Sequence, residues 1–436
     1  MHVMVLGAGV IGVTTAWYLA NAGFDVSVID RQPDAGLETS FANGGQISRG
    51  HPEPWSSPSA PFNAIRWLGR KDAPLRFHFA AETGRLAWSL AFLRECLPHR
   101  FHRNMHAIAR LAAHSGRCLR TLRGETGIEY EDQQRGILHV FRTEGALRAA
   151  RDKPAFLAAH GIRAHLCTVD ECVGIDPALE HLARSLAGGL YASEDESGNA
   201  LLFTQRLATL AQGMSVRFRY DLTITGVVTR RNQVQGVRVR RPDGETDELA
   251  ADAYVVCLGS YAAPLLGPLG ERLPIYPVKG YSITVPVLDP RKAPQVSLTD
   301  ESERVVCSRL GDQLRVAGTA EIDGFDTTID EDRCRQLLRW TERTFPGAAD
   351  PSTISTWAGL RPCTPSNVPI IGRSRYAELW FNTGHGSLGW TLACGSAQLV
   401  TALLQGQPSS VPGFPLHDMA RGGTGLAVTT AGPILR

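Results

Sequence analysis

Gly7, Gly9 and Gly12, in Leu-Gly-Ala-Gly-Val-Ile-Gly, stand at the G-x-G-x-x-G spacing that cradles a dinucleotide pyrophosphate. Each glycine meets a different need: Gly7 a tight turn, Gly9 the approach of a phosphate to the backbone, Gly12 close packing of helix on sheet. Asp30 then offers a carboxylate to a ribose hydroxyl and would repel a 2′-phosphate. A second stretch, residues 39–50, reads Thr-Ser-Phe-Ala-Asn-Gly-Gly-Gln-Ile-Ser-Arg-Gly, with hydroxyl and amide groups suited to phosphate and ring contacts. Residues 383–391, Thr-Gly-His-Gly-Ser-Leu-Gly-Trp-Thr, are a glycine loop running into a helix whose N-terminus favours something electron-rich. This cluster lacks the fingerprint spacing and trailing acid of a separate NAD(P)H unit, and suits a flavin, whose reduced ring carries negative charge. Lys279 and Tyr281, in Tyr-Pro-Val-Lys-Gly-Tyr-Ser, would present an ammonium and a phenol to a small polar substrate, the alternative being a plain hairpin entrance.

The elements that must position these groups follow from periodicity. Residues 2–6 read as a buried strand, 10–22 as a helix and 25–30 as a second strand. The proline-rich run 51–61 is a rigid connector, and helices dominate 61–124. The piece 85–97 is apolar around much of its surface and is expected in the core, with a membrane-facing helix as the alternative. Strands at 136–141 and near 165, around a helix at 145–160, suggest a separate α+β domain. After residue 188 come Glu194, Asp195 and Glu196, expected in a solvated loop, a helix at 201–212, and strands at 215–220, 224–229, 234–240 and 253–258. The last ends on Gly259, which can bring backbone up to a cofactor. Residues 274–320 are strand-rich, and helices are predicted at 330–345 and 390–405. His99, His102 and His106 share a helix face, but Pro98, Arg100 and Arg103 surround them and no acid or thiol completes a set, so no metal is expected.

The net charge of +2 over 436 residues, without a long basic block, argues against nucleic acid. The first Lys or Arg is Arg31, so the apolar N-terminus lacks the positive region of a signal peptide. No run approaches the ~20 apolar residues that span a bilayer. The nine scattered cysteines, without a CxxC, read as reduced cytosolic thiols.

Over residues 1–407, the motifs V-L-G-A-G-V-I-G-V, V-I-D-R-Q, E-T-S-F-A-N-G-G-Q-I-S, Y-P-V-K-G-Y-S, G-L-R-P-C-T-P and N-T-G-H-G-S-L-G-W-T-L-A-C-G-S resemble the D-amino acid oxidase superfamily of FAD enzymes, and within it the bacterial D-amino acid dehydrogenases. The resemblance implies an α/β fold: a Rossmann-like FAD-binding domain of the GR2 type, from residues 1–84, 188–270 and 346–410, with an inserted α+β substrate domain, from 85–187 and 271–345, and a C-terminal tail, 411–436. By motif position Gly7, Ala8, Gly9, Val10, Ile11, Gly12, Asp30 and Arg31 hold the ADP half of a noncovalent FAD. Ser40, Asn43, Gly44, Gly45, Gln46 and Ile47 line its pyrophosphate and flavin, Ile224 meets the adenine, and Gly259 approaches the cofactor. Gly384, Gly386, Ser387, Leu388, Gly389 and Trp390 meet the flavin ring.

Arg361 falls where oxidases of the superfamily anchor the substrate carboxylate, a task its planar fork suits; the alternative is a structural ion pair. Tyr281 closes the pocket, Lys279 faces the substrate, and His385 acts at the site or supports the loop under the flavin. Cys363 lies two residues beyond the position of covalent linkage in some relatives, which Arg361 occupies. The implied activity is oxidative deamination of a D-amino or imino acid to a 2-oxo acid and ammonia, with a quinone or other electron acceptor. The implied place is the cytoplasm, with peripheral contact on the inner face of the plasma membrane. The alternatives are a D-proline or D-hydroxyproline dehydrogenase, an O2-using glycine or sarcosine oxidase, and, from another class, a nucleotide-binding regulator. One departure bears on substrate: where the family has proline, glycine and an aromatic after Gln-Ile-Ser, this chain carries Arg49, His51 and Glu53.

Overall fold

The computed structural model describes residues 1–67, 73–77 and 83–418; the glycine-rich run 422–432, expected to be disordered, lies outside them. Apolar residues bury β1 (His2–Leu6) and β2 (Asp25–Ile29) almost completely, as a parallel sheet covered on both faces requires. β1 pairs in parallel with β2 on one side and with Ala253–Val256 on the other. The seven-stranded sheet extends outward through Leu379–Thr383, Ile370–Arg373 and His417–Asp418 at one edge and Arg217–Arg219 at the other. Helix α1 (Val10–Asn21) leaves β1 and packs against Ala200–Gly213 and Gly389–Leu404, where Val13, Trp17, Phe203 and Trp390 share one core.

A second, mixed sheet runs in the order Ser355–Cys363, Tyr276–Pro286, Gln313–Ile322, Val305–Leu310, Ser297–Asp300, Ile137–Phe141, Gly188–Ala192, His165–Cys167. Loops of the first unit bind straight onto it: Ser282 donates to the Ala42 carbonyl (2.6 Å) and Ser308 to that of Gly44 (2.8 Å). The cavity between the two sheets holds the site.

The structure corrects four sequence-based boundaries. The chain first leaves helices α2 (Ala60–Trp67) and α3 (Thr83–Glu95) at the cavity's edge. Helix α4 (Pro98–Thr126), expected in the substrate domain, belongs to the core of the first unit: Ala107, Leu111 and Leu119 pack there. The Gly395 N–H donates to Ser115 Oγ (3.0 Å), an approach so close that a Cβ on Gly395 would fall 2.7 Å from the serine side chain. Ser355–Cys363 and Gly188–Ala192, expected in the FAD domain, pair within the second sheet. The expected helix at 145–160 is two short helices, Glu144–Ala149 and Lys153–Ala158, because Pro154 lacks the N–H needed for continuity and starts the second one instead.

Candidate active site

At the end of β1 the glycine loop behaves as its spacing predicts. Gly7 has φ +105°, and a Cβ on it would lie 2.8 Å from the Cys257 carbonyl oxygen. A Cβ on Gly12 would fall 1.8 Å from the Gly7 oxygen, so α1 can start only with a hydrogen there. Asp30 does more than was read from its position. Its carboxylate accepts the N–H groups of Ala8 (2.6 Å) and Gln32 (2.8 Å), tying the loop to the end of β2, and burial raises its pKa. Ser40 Oγ accepts the Val10 N–H (3.0 Å), capping α1 from thirty residues away. The Arg31 guanidinium lies 4.0 Å over the Tyr261 ring and pairs with Glu38 (2.6 Å).

A cavity of about 1240 Å³ opens from this loop to the second sheet, larger than the ~300–1,000 Å³ of a site for one drug-sized ligand. Of the predicted cofactor residues all but Ala8, Gly12, Ile47 and Gly384 reach its wall. Those four act beneath it: Ala8 and Ile47 are core, Gly12 lies under Gly7, and Gly384 (φ +78°) makes a turn that no Cβ could share with Thr364. Ser48 Oγ, Thr319 Oγ1 and Trp390 Nε1 are buried atoms of wall residues, without a hydrogen-bond partner among the described residues. Unmet polar groups around a cavity signal a polar ligand.

Arg361 lies on Ser355–Cys363, paired so that Val278 faces it across the strands and Gly280 faces Gly359. Its guanidinium crosses Gly280 so closely that a Cβ there would fall 2.0 Å from Nη1. Nη1 donates to the Thr319 carbonyl (3.1 Å), and the fork lies 5.6 Å from the Trp55 ring. Thr319 has φ +57°, a costly conformation for a β-branched residue that tends to persist at functional sites. No carboxylate lies within ion-pair distance of Arg361 among the described residues, which removes the structural ion pair considered from sequence.

Two predicted substrate contacts are corrected. Lys279 turns away from the cavity: Nζ meets Asp326 (2.7 Å) and Glu321 (3.4 Å). Tyr281 lines the wall, but its hydroxyl donates to Glu321 (2.8 Å) and is committed within the protein. His385 is buried, its Nε2 3.1 Å from Ser396 Oγ, and burial lowers its pKa to about 3. A neutral imidazole there braces the glycine loop.

Sequence reading singled out His51 and Glu53 but missed the charged group they form on the cavity wall. His51 Nε2 and His139 Nδ1 lie 3.2 and 3.0 Å from Glu301 Oε1, and Lys153 Nζ is 2.6 Å from Glu53. Burial opposes charge at His51, but Glu301 and Glu53 outweigh it and raise its pKa; burial likewise works against Glu301, yet the histidines hold it well below the carboxylate range. The donor atoms of His51, His139 and Glu301 lie within 4.8 Å of one another, and hydrogen bonding accounts for that spacing. His51 and Glu53 came from the departing run; its third member, Arg49, is off the wall. Arg49 is buried against the supposedly solvated acids, with Nε 3.6 Å from Asp195 Oδ1 and Nη2 donating to the Glu194 carbonyl. Glu196 pairs with Arg123 (2.6 Å). Asp195 and Glu196 are therefore structural ion-pair partners.

Comparison with known proteins agrees with this geometry. The model of the DAO family, FAD dependent oxidoreductase, matches residues 2–403. The chain is 48% identical over 415 residues to a D-amino acid dehydrogenase of Dechloromonas aromatica (strain RCB), covering 95% of this chain and 99% of that one. It is 46% identical over 412 residues to a D-amino acid dehydrogenase of Paramagnetospirillum magneticum, covering 94% and 96%. Among solved structures, glycine oxidase from Bacillus cereus ATCC 14579 aligns with TM-score 0.69 at 21% identity, over 94% of this chain and 96% of that one. L-proline dehydrogenase from P. horikoshii aligns with TM-score 0.71 at 16% identity, over 95% and 96%. At these identities the structural likeness speaks for the fold alone.

Proposed function

The chain belongs to the DAO family of FAD dependent oxidoreductases, and from that premise we propose that it oxidatively deaminates D-amino acids to 2-oxo acids and ammonia, passing the electrons to a quinone-type acceptor. The observation that carries the reading is Arg361, a cation on the cavity wall held by a backbone carbonyl and waiting for an anion. FAD fits the rest of the wall: the Gly7 loop and the α1 N-terminus suit its pyrophosphate, and Ser48, Thr319 and Trp390 offer unmet polar atoms. When bound, FAD supplies the two-electron oxidation at the amine-bearing carbon. Arg361 would take the substrate carboxylate with its fork, Thr319 fixes the guanidinium, and Gly280 leaves room for it. The imino acid formed then hydrolyses in water. Positioning is thus the chain's main contribution.

His51 and Glu53 on the wall favour a second reading, in which the substrate is a hydroxylated D-imino acid such as D-hydroxyproline, its hydroxyl met by these groups. Anaerobic mixing of the yellow protein with a panel of D-amino and imino acids tests both. Bleaching names the substrate, and reoxidation by a quinone analogue or by air names the acceptor; no bleaching with any of them would overturn the proposal.

We propose also that the cofactor is noncovalent and that the protein works in the cytoplasm, on the inner face of the plasma membrane. All nine cysteines are free, which supports a reducing compartment. Cys363 is 1% exposed, and burial pushes its thiol up to about 12. Acid or heat denaturation should therefore release the flavin into the supernatant. A yellow, washed pellet would contradict this.

A further inference from the structure

Helix α3 carries more apolar surface than the fold uses. Its inner side is spent: Trp88 Nε1 donates to the Cys363 carbonyl (2.8 Å), and its ring packs 5.6 Å from Tyr276 and 5.2 Å from Phe92. On the other side Leu86, Leu90 and Leu93, with Leu97 just beyond the helix, follow the 4-3-4 spacing of one helical face and are 64%, 64%, 50% and 46% exposed. On α2, Phe62 and Ile65 are 75% and 73% exposed. The core placement expected for residues 85–97 is thereby corrected, because the helix is docked and its leucines still face out. Single exposed apolar residues are ordinary, but six of them on and just beyond two helices that both border one cavity mark an interaction surface.

The charge around it selects the partner. Arg66 and Arg94 are exposed on these helices, and His99, His102 and Arg103 are exposed at the start of α4. Among the described residues of 60–67 and 83–106 the one acid is Glu95, which is engaged by Arg100 (2.6 Å) and Asn104 (2.8 Å). Leucines beside arginines match a bilayer with anionic headgroups. The one helix among the described residues long and apolar enough to span a membrane, Gly386–Leu404, is mostly buried in the core, so the match is to lying on a membrane.

The same two helices wall the cavity. Ala64 and Trp67 of α2 and Trp88, Ser89 and Phe92 of α3 line it, and Leu93 both lines it and is half-exposed, so it sits at the rim. We propose that α2 and α3 are the face on which this protein lies on an anionic phospholipid bilayer, and that the apolar acceptor enters the cavity between them without leaving the lipid. The route rests on the quinone reading above; the docking face does not.

The test uses the FAD-loaded protein and vesicles of phosphatidylcholine with or without phosphatidylglycerol, holding a membrane-soluble quinone. Wild type should float with the anionic vesicles. The triple variant Ile65→Ser, Leu86→Ser, Leu90→Ser should bind them at least tenfold more weakly and lose at least tenfold in quinone reduction. Its oxidation of the substrate with a water-soluble dye should stay within twofold of wild type. Arg66→Glu, Arg94→Glu, which keeps the leucines, should lose the preference for anionic vesicles and guards against a misfolded triple variant. Flotation unchanged in both variants would overturn the docking face, as would a wild-type dimer that the triple variant turns into a monomer without any vesicle binding. Lost flotation with undiminished quinone reduction by the triple variant would overturn the route. Absence of dye reduction in wild type would instead sink the reaction proposed above and leave the flotation result standing.

Discussion

Arg361→Ala should cut kcat/KM for D-amino acids by about 30- to 4,000-fold, mostly through KM, while the protein keeps its FAD. Losing one partner of a desolvated charge pair costs about 2–5 kcal/mol, and each 1.4 kcal/mol is a factor of ten. The effect belongs at the upper end because other wall cations among the described residues already have acidic partners: Arg31 pairs with Glu38 and Arg304 with Glu301. Lys279 is committed to Asp326 and Glu321, and Lys153 to Glu53. Arg361→Lys should recover only part of the loss, since an ammonium cannot make two parallel bonds to a carboxylate. FAD retention is expected because Arg361 touches Thr319, Gly280 and Trp55 and none of the glycine loop. Steady-state kinetics with a dye acceptor, beside the flavin absorbance of the purified variant, separate the two roles. Unchanged KM would remove Arg361 from the substrate site; lost flavin would make it a cofactor residue.

How far the chain could be read tracks the range of the interactions. The glycine loop was legible because its spacing is a local pattern: Gly12 is required by the Gly7 oxygen at the start of α1, although Gly7 itself is crowded by Cys257, far away in sequence. Arg361 was legible only through its Gly-Leu-Arg-Pro context, since nothing local shows that Gly280, on a neighbouring strand, leaves space for its fork. Lys279 misled because the partners of a strand residue are set by its neighbours: Lys279 and Tyr281 share a face and both reach Glu321 of the adjoining strand, where a bulge shifts the register. Its partners Glu321 and Asp326 lie on and beyond the adjoining strand. Residues 85–97 misled differently: apolar residues around most of a helix leave its inward side undetermined, and two ring contacts and one hydrogen bond of Trp88 decide it. The domain limits failed for the same reason, as α4 is assigned by Ser115 meeting Gly395, 280 residues away.

Arg49 and Asp195, 146 residues apart, form a buried contact with a large expected effect on stability. Each looked like something else in isolation: Arg49 like a pocket charge, Asp195 like a solvated acid. Together they fasten the segment after the flavin-side loop to the turn that follows Gly188–Ala192, and Asp195 also accepts the N–H groups of Arg49 (3.1 Å) and Gly50 (2.8 Å). Both side chains are almost fully buried, so Arg49→Met, which keeps the apolar stem, leaves a carboxylate without its counter-charge. Breaking a buried pair from one side costs about 3–5 kcal/mol. In the wild type, burial lifts the Asp195 pKa to about 7, with Arg49 pulling it down; without Arg49 it rises further. An acid whose folded pKa is raised contributes stability at low pH, where both states are protonated, and that stability is lost as pH climbs through the folded value. The variant's deficit should therefore be small near pH 5 and grow through pH 7 and above. Thermal unfolding of wild type and Arg49→Met at pH 5 and pH 8.5 reads this directly. An equal deficit at both values would mean that packing of the arginine stem, and not the charge on Asp195, is what Arg49 contributes.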